Sequence, residues 1–382
     1  MTTLADVVRS HHVIVSAGSG GVGKTTVAAS LGLWGALEGR RTVVLTIDPA
    51  RRLAVSLGLK DLGSEPHRIP PDLLASGGLA ARGELWAMML DQKGAWDALV
   101  ERHAPAEARE RILANPFYQH LSQTFAGSQE YMAVEQLCEL VDGGDWDLIV
   151  VDTPPTRHAL DFLEAPQRLG DFLDKSVLKW FMRPLNAGWS ALRVVNRTMS
   201  FLLQRLEQAT GISALAEISD FFTSMSGLFD NFQARVDRAH EVLRGPETAF
   251  VVVTSAEEEV LGDAEYLGAK MAELRMPLRA VVVNRMHEEF RRGGRVEVGP
   301  EAREDVEQAV AAALGDPGTA ARALAANFVD YQVLARGEQL RLDLFRRGLR
   351  RGVPLVRVPD FGRDVHDLGA LAAMHRSLFG QA

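Results

Sequence analysis

Only one cysteine, Cys138, stands among the 382 residues, so no disulfide can close within the chain and no multi-thiolate zinc site can be built from it. The expectation for Cys138 itself is a buried, inert thiol. A basic excess is lacking too. Lys and Arg number 42 against 50 Asp and Glu, a formal charge of -8, and nucleic acid is not an expected partner. The pairs Arg51-Arg52, Arg346-Arg347 and Arg350-Arg351 read as solvated faces. No run reaches the ~18 apolar residues that span a bilayer, and Met1 to His12 lacks the basic-then-apolar pattern of a signal peptide. The expectation is a cytoplasmic chain with no integral membrane segment. Internal repeats and low-complexity tracts are absent as well. What is present, 47% hydrophobic and 24% charged residues, is an ordinary globular composition with material for a sizeable core, and the length allows more than one domain.

Short β-rich runs alternate with helical stretches, the pattern of a mainly parallel sheet covered by helices. Strands are expected at His12–Ser16, Thr42–Ile47, Leu85–Leu90, Asp147–Val151, Ala249–Thr254, Leu278–Val283 and Leu355–Val358, the last at an edge because it carries Arg357. A helix is expected from Lys24 to Leu37, and the Pro- and Gly-rich stretch from Lys60 to Gly83 reads as a mobile connection. Between Ala159 and Gly245 the pattern becomes helical. Val195, Met199, Leu202 and Leu206 form one apolar stripe there, and Ile218, Phe221, Phe222, Met225, Phe229, Phe232 and Val236 form another. The division expected is an α/β domain of residues 1–158 and 246–382 with a helical insertion at 159–245.

Gly18-Ser19-Gly20-Gly21-Val22-Gly23-Lys24-Thr25, followed by Thr26, matches G-x-x-x-x-G-K-[ST] between a strand and a helix. The glycines let the backbone approach phosphate oxygens, successive N–H groups form an anion nest, and the helix adds its positive end. Lys24 is expected to neutralise phosphate charge and the Thr25 hydroxyl to hold Mg²⁺, with ATP as the nucleotide. Asp48 and Asp152 each end a strand, where ligands of such sheets bind. Asp48 is the candidate for polarising the attacking water, and Asp152 is the candidate second metal ligand. The adjacent His11 and His12 point to opposite faces of a strand and are read without function.

Together these motifs resemble the arsenical-pump and tail-anchored-protein-targeting ATPase family, in the MinD/ParA-like (SIMIBI-like) group of P-loop NTPases. The glycine loop is similar to that family's G-K-G-G-V-G-K-T-T. Asp48-Pro49-Ala50 resembles its first switch, and Asp152-Thr153-Pro154-Pro155-Thr156-Arg157-His158 its second. Asn284 falls where the family reads adenine, Glu257 where it contacts nucleotide, and Pro354 to Asp360 resembles its adenine-side loop. The resemblance covers most of the chain. It implies a homodimer or a paralogous heterodimer that hydrolyses ATP, and a helical insertion that takes a hydrophobic protein client.

Two departures accompany it. Ser19 stands where the family carries a lysine that reaches the partner's phosphates, and a serine supplies no charge. Turnover is therefore expected to be slow alone and to rise with a partner; Arg51, Arg52, Arg157 or a paralogous chain could supply the cation. With Cys138 alone, neither an intersubunit zinc on paired cysteines nor arsenite chemistry carries over. Two other readings stay open at this point, a nucleotide-switched binding module with negligible hydrolysis and a ParA/MinD-like positioning ATPase.

Overall fold

Apolar β-branched runs are stable only where both faces are covered, and the chain stacks them side by side. In the computed structural model, which describes residues 2–48, 50, 52–124, 128–154, 162, 164, 234–290, 300–314, 318–362 and 364–380, eight strands form one sheet. They are β1 (Val13–Gly18), β2 (Arg41–Thr46), β3 (His67–Arg68), β4 (Glu84–Met89), β5 (Leu148–Asp152), β6 (Thr248–Thr254), β7 (Leu278–Met286) and β8 (Leu355–Pro359), in the order β3-β4-β2-β5-β1-β6-β7-β8. The pairs from β2 through β5, β1, β6 and β7 to β8 are parallel, and β3 runs antiparallel to β4. Every residue of β1, β5 and β6 is buried, as two-sided cover requires.

The seven expected strands all form, each within three residues at either end, the largest difference being β7, which runs on from Val283 to Met286, and β8 lies at the edge. The helix after the glycine loop runs from Lys24 to Leu37. It carries no polar face because it lies pressed between neighbours. A Cβ on Gly32 would stand 2.4 Å from Val44 and one on Gly35 2.6 Å from Leu148, so glycines set the helix-to-sheet distance there. The helix Leu368–Phe379 packs on the same helix through Trp34 and Phe379, stacked with centroids 5.3 Å apart. Its start is fixed by Asp367, which accepts the Ala370 N–H at 2.7 Å.

One expectation needs correcting. The stretch from Lys60 to Gly83 is not simply a connection: it contains β3 and the helix Pro71–Ser76, and it buries Leu62, Ile69, Leu74 and Leu79. A two-residue strand and a one-and-a-half-turn helix are too short to leave a periodic signal among prolines and glycines.

The end of the sheet away from the glycine loop is tied by Arg40. Its guanidinium donates to the carbonyls of Val8 at 2.6 Å, His11 at 3.0 Å and Asp147. Arg41 beside it stacks on Trp86 and Trp146, 5.5 and 4.8 Å from the ring centroids. His11 and His12 bond the carbonyls of Val7 and Asp147 at 2.7 and 3.2 Å, a structural use for both.

The chain divides into two compact units, one of residues 1–88, 146–159 and 246–382 and one of residues 89–145 and 160–245. The first holds the sheet. In the second, the helices Gln92–His103, Ala106–Ala114, Pro116–Thr124 and Ser128–Gly143 bury Trp96, Leu99, Ile112, Tyr131 and Leu137. Cys138 is buried here, and burial pushes its thiol up to about 12, so it is inert as expected. The stripe beginning at Val195 lies outside the described residues. So does the stripe from Ile218, save Val236, which is buried. Among the described residues no helix is long and apolar enough to cross a membrane.

Candidate functional site

The register of three adjacent parallel strands decides where the acidic and glycine-rich segments meet. Asp152, the last residue of β5, pairs in register with Ser16 of β1 on one side and Thr46 of β2 on the other. The turns leaving β1 and β2 therefore close over it, and Asp48 and the glycine loop arrive at the same end of the sheet. A cleft of about 570 Å³ opens there, walled on the glycine-loop side by Gly21, Gly23, Lys24, Thr25, Thr26, Asp48 and Arg52.

Two glycines of the loop are sterically required. Gly18 has φ +157, and a Cβ on it would stand 2.0 Å from the Val253 carbonyl oxygen of β6. Gly23, with φ +93, starts the helix, and its Cβ would stand 2.4 Å from Asn284 Nδ2. Lys24 folds back so that Nζ donates to the Ser19 carbonyl at 2.7 Å. Burial lowers its pKa to about 8, against the pull of Asp152 and Asp48 and aided by Arg52. Ser19 is buried, and its hydroxyl donates to Asp263 of the helix Glu258–Glu273 at 2.7 Å. That hydroxyl is thus committed within the chain.

Asp152 lies beneath the cleft floor rather than in its wall. Burial pushes its carboxyl up to about 6, while the Thr25 and Thr46 hydroxyls and Lys24 pull it back down and Asp48 opposes them. Thr46 Oγ1 donates to Oδ2 at 3.0 Å, but Oδ1 is buried without a hydrogen-bond partner. An ionised, half-satisfied carboxylate below a threonine hydroxyl is what a divalent cation would complete. Among the described residues no group of three or more His, Cys, Asp or Glu could hold a metal alone. Mg²⁺ takes one or two protein oxygens and leaves the rest to phosphate and water, and the Thr25 hydroxyl and Asp152 are the two oxygens that would serve. Asp48 is half-buried. Its Oδ1 accepts the Ala50 N–H at 2.9 Å, and its Oδ2 lies 3.4 Å from Arg52 Nη1.

The opposite end of the cleft is built by a β-bulge. Val283 pairs with Arg357 and Met286 with Pro359, so β7 carries one residue more than β8, and Arg285 takes φ +57. A non-glycine residue in that region costs ~1–3 kcal/mol and marks a backbone held for a purpose. The bulge turns Asn284 toward the glycine loop, where Nδ2 donates to the Val22 carbonyl at 2.8 Å. Because only the amide nitrogen can face a carbonyl, Oδ1 is left as an acceptor. Pro359, Asp360, Phe361, Asp364, Val365 and His366 complete this end, and Arg285 pairs with Asp364 at 3.3 Å.

Lys24, Thr25, Thr26, Gly21, Gly23, Asp48 and Asn284 are thus brought to one cleft, with Asp152 under it and Gly18, Ser19, Gly20 and Val22 in the loop behind. Glu257 stands apart. It is exposed just before the helix Glu258–Glu273 and lines no part of the cleft. Arg51, Arg157 and His158 lie outside the described residues. Sequence reasoning missed the Asp263 anchor of Ser19, the Thr46 bond to Asp152 and the Arg285–Asp364 pair. All three join residues far apart in the chain. Thr46, the last polar residue of an apolar strand next to Asp48, carried a signal that went unused.

The model of the family described as anion-transporting ATPase matches residues 11–313. ATPase GET3 of Malassezia globosa (strain ATCC MYA-4612 / CBS 7966) is 26% identical over 273 residues, 72% of this chain and 72% of that one. ATPase ASNA1 homolog 1 of Paramecium tetraurelia is 32% identical over 164 residues, 42% of this chain and 45% of that one. A putative arsenical pump-driving ATPase of Chlorobaculum tepidum (strain ATCC 49652 / DSM 12025 / NBRC 103806 / TLS) is 29% identical over 179 residues, 46% of this chain and 41% of that one. The chain therefore matches nearly three quarters of the first relative's length and less than half of the other two.

Proposed function

From the premise that this chain belongs to the anion-transporting ATPase family and is an ATPase, we propose that it is a Mg²⁺-dependent dimeric switch coupling its nucleotide state to the binding of a hydrophobic protein client. The observation that carries the reading is the convergence of Lys24, Thr25, Asp48 and Asp152 at the ends of three adjacent parallel strands.

In this reading the loop from Gly18 to Thr26 wraps the phosphates with backbone N–H groups, and Lys24 turns from the Ser19 carbonyl to the β- and γ-phosphates. Thr25 and Asp152 would hold Mg²⁺, which would supply positive charge to the phosphates. Asp48 orients the attacking water. Asn284, fixed by Val22, presents Oδ1 to the exocyclic amine of adenine, an interaction the O6 of guanine cannot make. Asn284→Ala should lower ATP affinity about tenfold and GTP affinity little, the loss of one hydrogen bond. Competition titrations with both nucleotides read this ratio, and an unchanged ratio removes Asn284 from the base site.

Glu257, exposed and away from the cleft, reaches nucleotide only after a loop movement or from a second chain. The helical insertion at 159–245 is the proposed client-binding part, on the strength of its Phe- and Met-rich helical periodicity. Sedimentation of the purified chain with ADP, and with ATP under slow-turnover conditions, tests the switch. ATP should bring two chains together and allow a labelled apolar helical peptide to co-sediment. A single species in both nucleotides that takes up no peptide ends the proposal, leaving an ATPase of another use.

A further inference from the structure

The phosphate end of the cleft holds a second cation besides Lys24. Arg52 lines it together with Lys24, Thr25 and Asp48, and its side chain is 66% exposed. Its only described ion pair is with Asp48 Oδ2 at 3.4 Å, a separation and an exposure at which such pairs are weak. The other described arginine of the cleft, Arg285, belongs to the base end and is paired with Asp364. Lys24 is buried and already assigned to the β- and γ-phosphates, and the Ser19 hydroxyl, committed to Asp263, carries no charge. Arg52 therefore stands beside the phosphate position on a loose tether. A guanidinium is permanently charged, and its forked donors match phosphate oxygens better than a single carboxylate oxygen at this distance.

Asp48 sharpens the point. Both its oxygens are engaged, Oδ1 by the Ala50 N–H and Oδ2 by Arg52. Each oxygen can accept a second hydrogen bond, but a guanidinium held against the carboxylate draws on the negative charge that polarises water, so its release makes Asp48 the stronger acceptor. The backbone bond holds the turn, so the oxygen to be freed is Oδ2.

Resting on the nucleotide-site reading above, we propose that Arg52 is a further catalytic residue, which exchanges Asp48 for the γ-phosphate of ATP and frees the carboxylate to hold water in the same movement. In the reaction the water oxygen bonds to the γ-phosphorus as the bond to the β,γ-bridging oxygen breaks. The water proton ends on the inorganic phosphate formed, ADP carries off the bonding electrons, and Arg52 neither gains nor loses a proton. Its part is to hold charge that builds on the equatorial oxygens, as arginines do in other phosphoryl-transfer sites.

The test uses the full-length chain with Arg52→Gln, Arg52→Lys, Asp48→Asn and the double variant Asp48→Asn/Arg52→Gln. Titrations with ADP, with ATP and with ADP plus aluminium fluoride, and single-turnover hydrolysis, are the readouts. Arg52→Gln should bind ADP within about twofold of the unaltered protein, bind ATP and the fluoroaluminate complex about tenfold or more weakly, and turn over about 10²-fold more slowly. Arg52→Lys should recover part of the rate, having the charge without the fork. The selective loss of ATP affinity should persist when Asp48 is already asparagine, because the contact is with phosphate. An unchanged ATP-to-ADP preference in Arg52→Gln overturns the proposal. Faster hydrolysis by that variant also overturns it, since Arg52 would then only restrain Asp48. If the unaltered chain binds neither nucleotide, the site reading fails and this inference with it. Normal binding with an indifferent Arg52 fails the inference alone.

Discussion

Replacing Asp48 by asparagine is expected to slow ATP hydrolysis about 10³-fold while ATP affinity stays within about threefold, the pattern of a group that acts only in the transition state. Asparagine keeps the size of the side chain, and its Oδ1 can still accept the Ala50 N–H that now lies 2.9 Å from the carboxylate. The turn is therefore preserved. What is lost is the negative charge and the second acceptor oxygen, the two properties needed to hold and polarise water. Single-turnover hydrolysis measured beside a nucleotide titration separates chemistry from binding. Hydrolysis by Asp48→Asn at the original rate would show that another group positions the water. A matched loss of affinity and rate would make Asp48 a binding residue instead.

The second large effect concerns Lys24, and it has opposite signs for binding and for stability. Burial holds its pKa at about 8, below the ordinary lysine value of 10.5. The group is thus kept charged at neutral pH against a cost of about 3 kcal/mol, counting ~1.4 kcal/mol per unit. Lys24→Met should stabilise the protein without nucleotide by an amount of that order and weaken ATP binding about 10²-fold or more. The pH dependence follows from the same shift. Between about pH 8 and 10.5 the unfolded chain holds the proton that the folded one has released, so stability rises with pH across that window. Phosphate requires the charged lysine and raises its pKa again, so ATP affinity should fall as pH climbs above about 8. Urea unfolding of both proteins at pH 7 and pH 10, with titrations at the same values, reads both signs. A Lys24→Met variant that is less stable at pH 7, or that keeps its ATP affinity, contradicts this account.

Much of the site was legible in the residue order because local chemistry dictates it. A Gly-rich loop ahead of Lys24 and Thr25 has few uses other than phosphate, and the apolar runs leading to Asp48 and Asp152 suit strands buried on both faces. Asn284 was found at the end of such a run, but its orientation was not. That depends on the extra residue of the bulge and on the Val22 carbonyl, 262 positions earlier in the chain. The short β3 and the helix Pro71–Ser76 left no period to read. Placing Glu257 with the nucleotide rested on resemblance alone, and within one chain it lies apart from the cleft.

By itself the sequence determined the strand and helix segments, the phosphate loop and the acidic residues that close it, because each follows from periodicity or from the steric freedom of glycine. The tertiary structure alone decided that Asp152 is buried with one oxygen unsatisfied, that Ser19 is held by Asp263, and that Arg52 stands at the phosphate end tethered to Asp48. The reason is physical: burial, pKa and the choice of partner depend on which strands lie side by side, and strand order is set by long-range packing that no local pattern records.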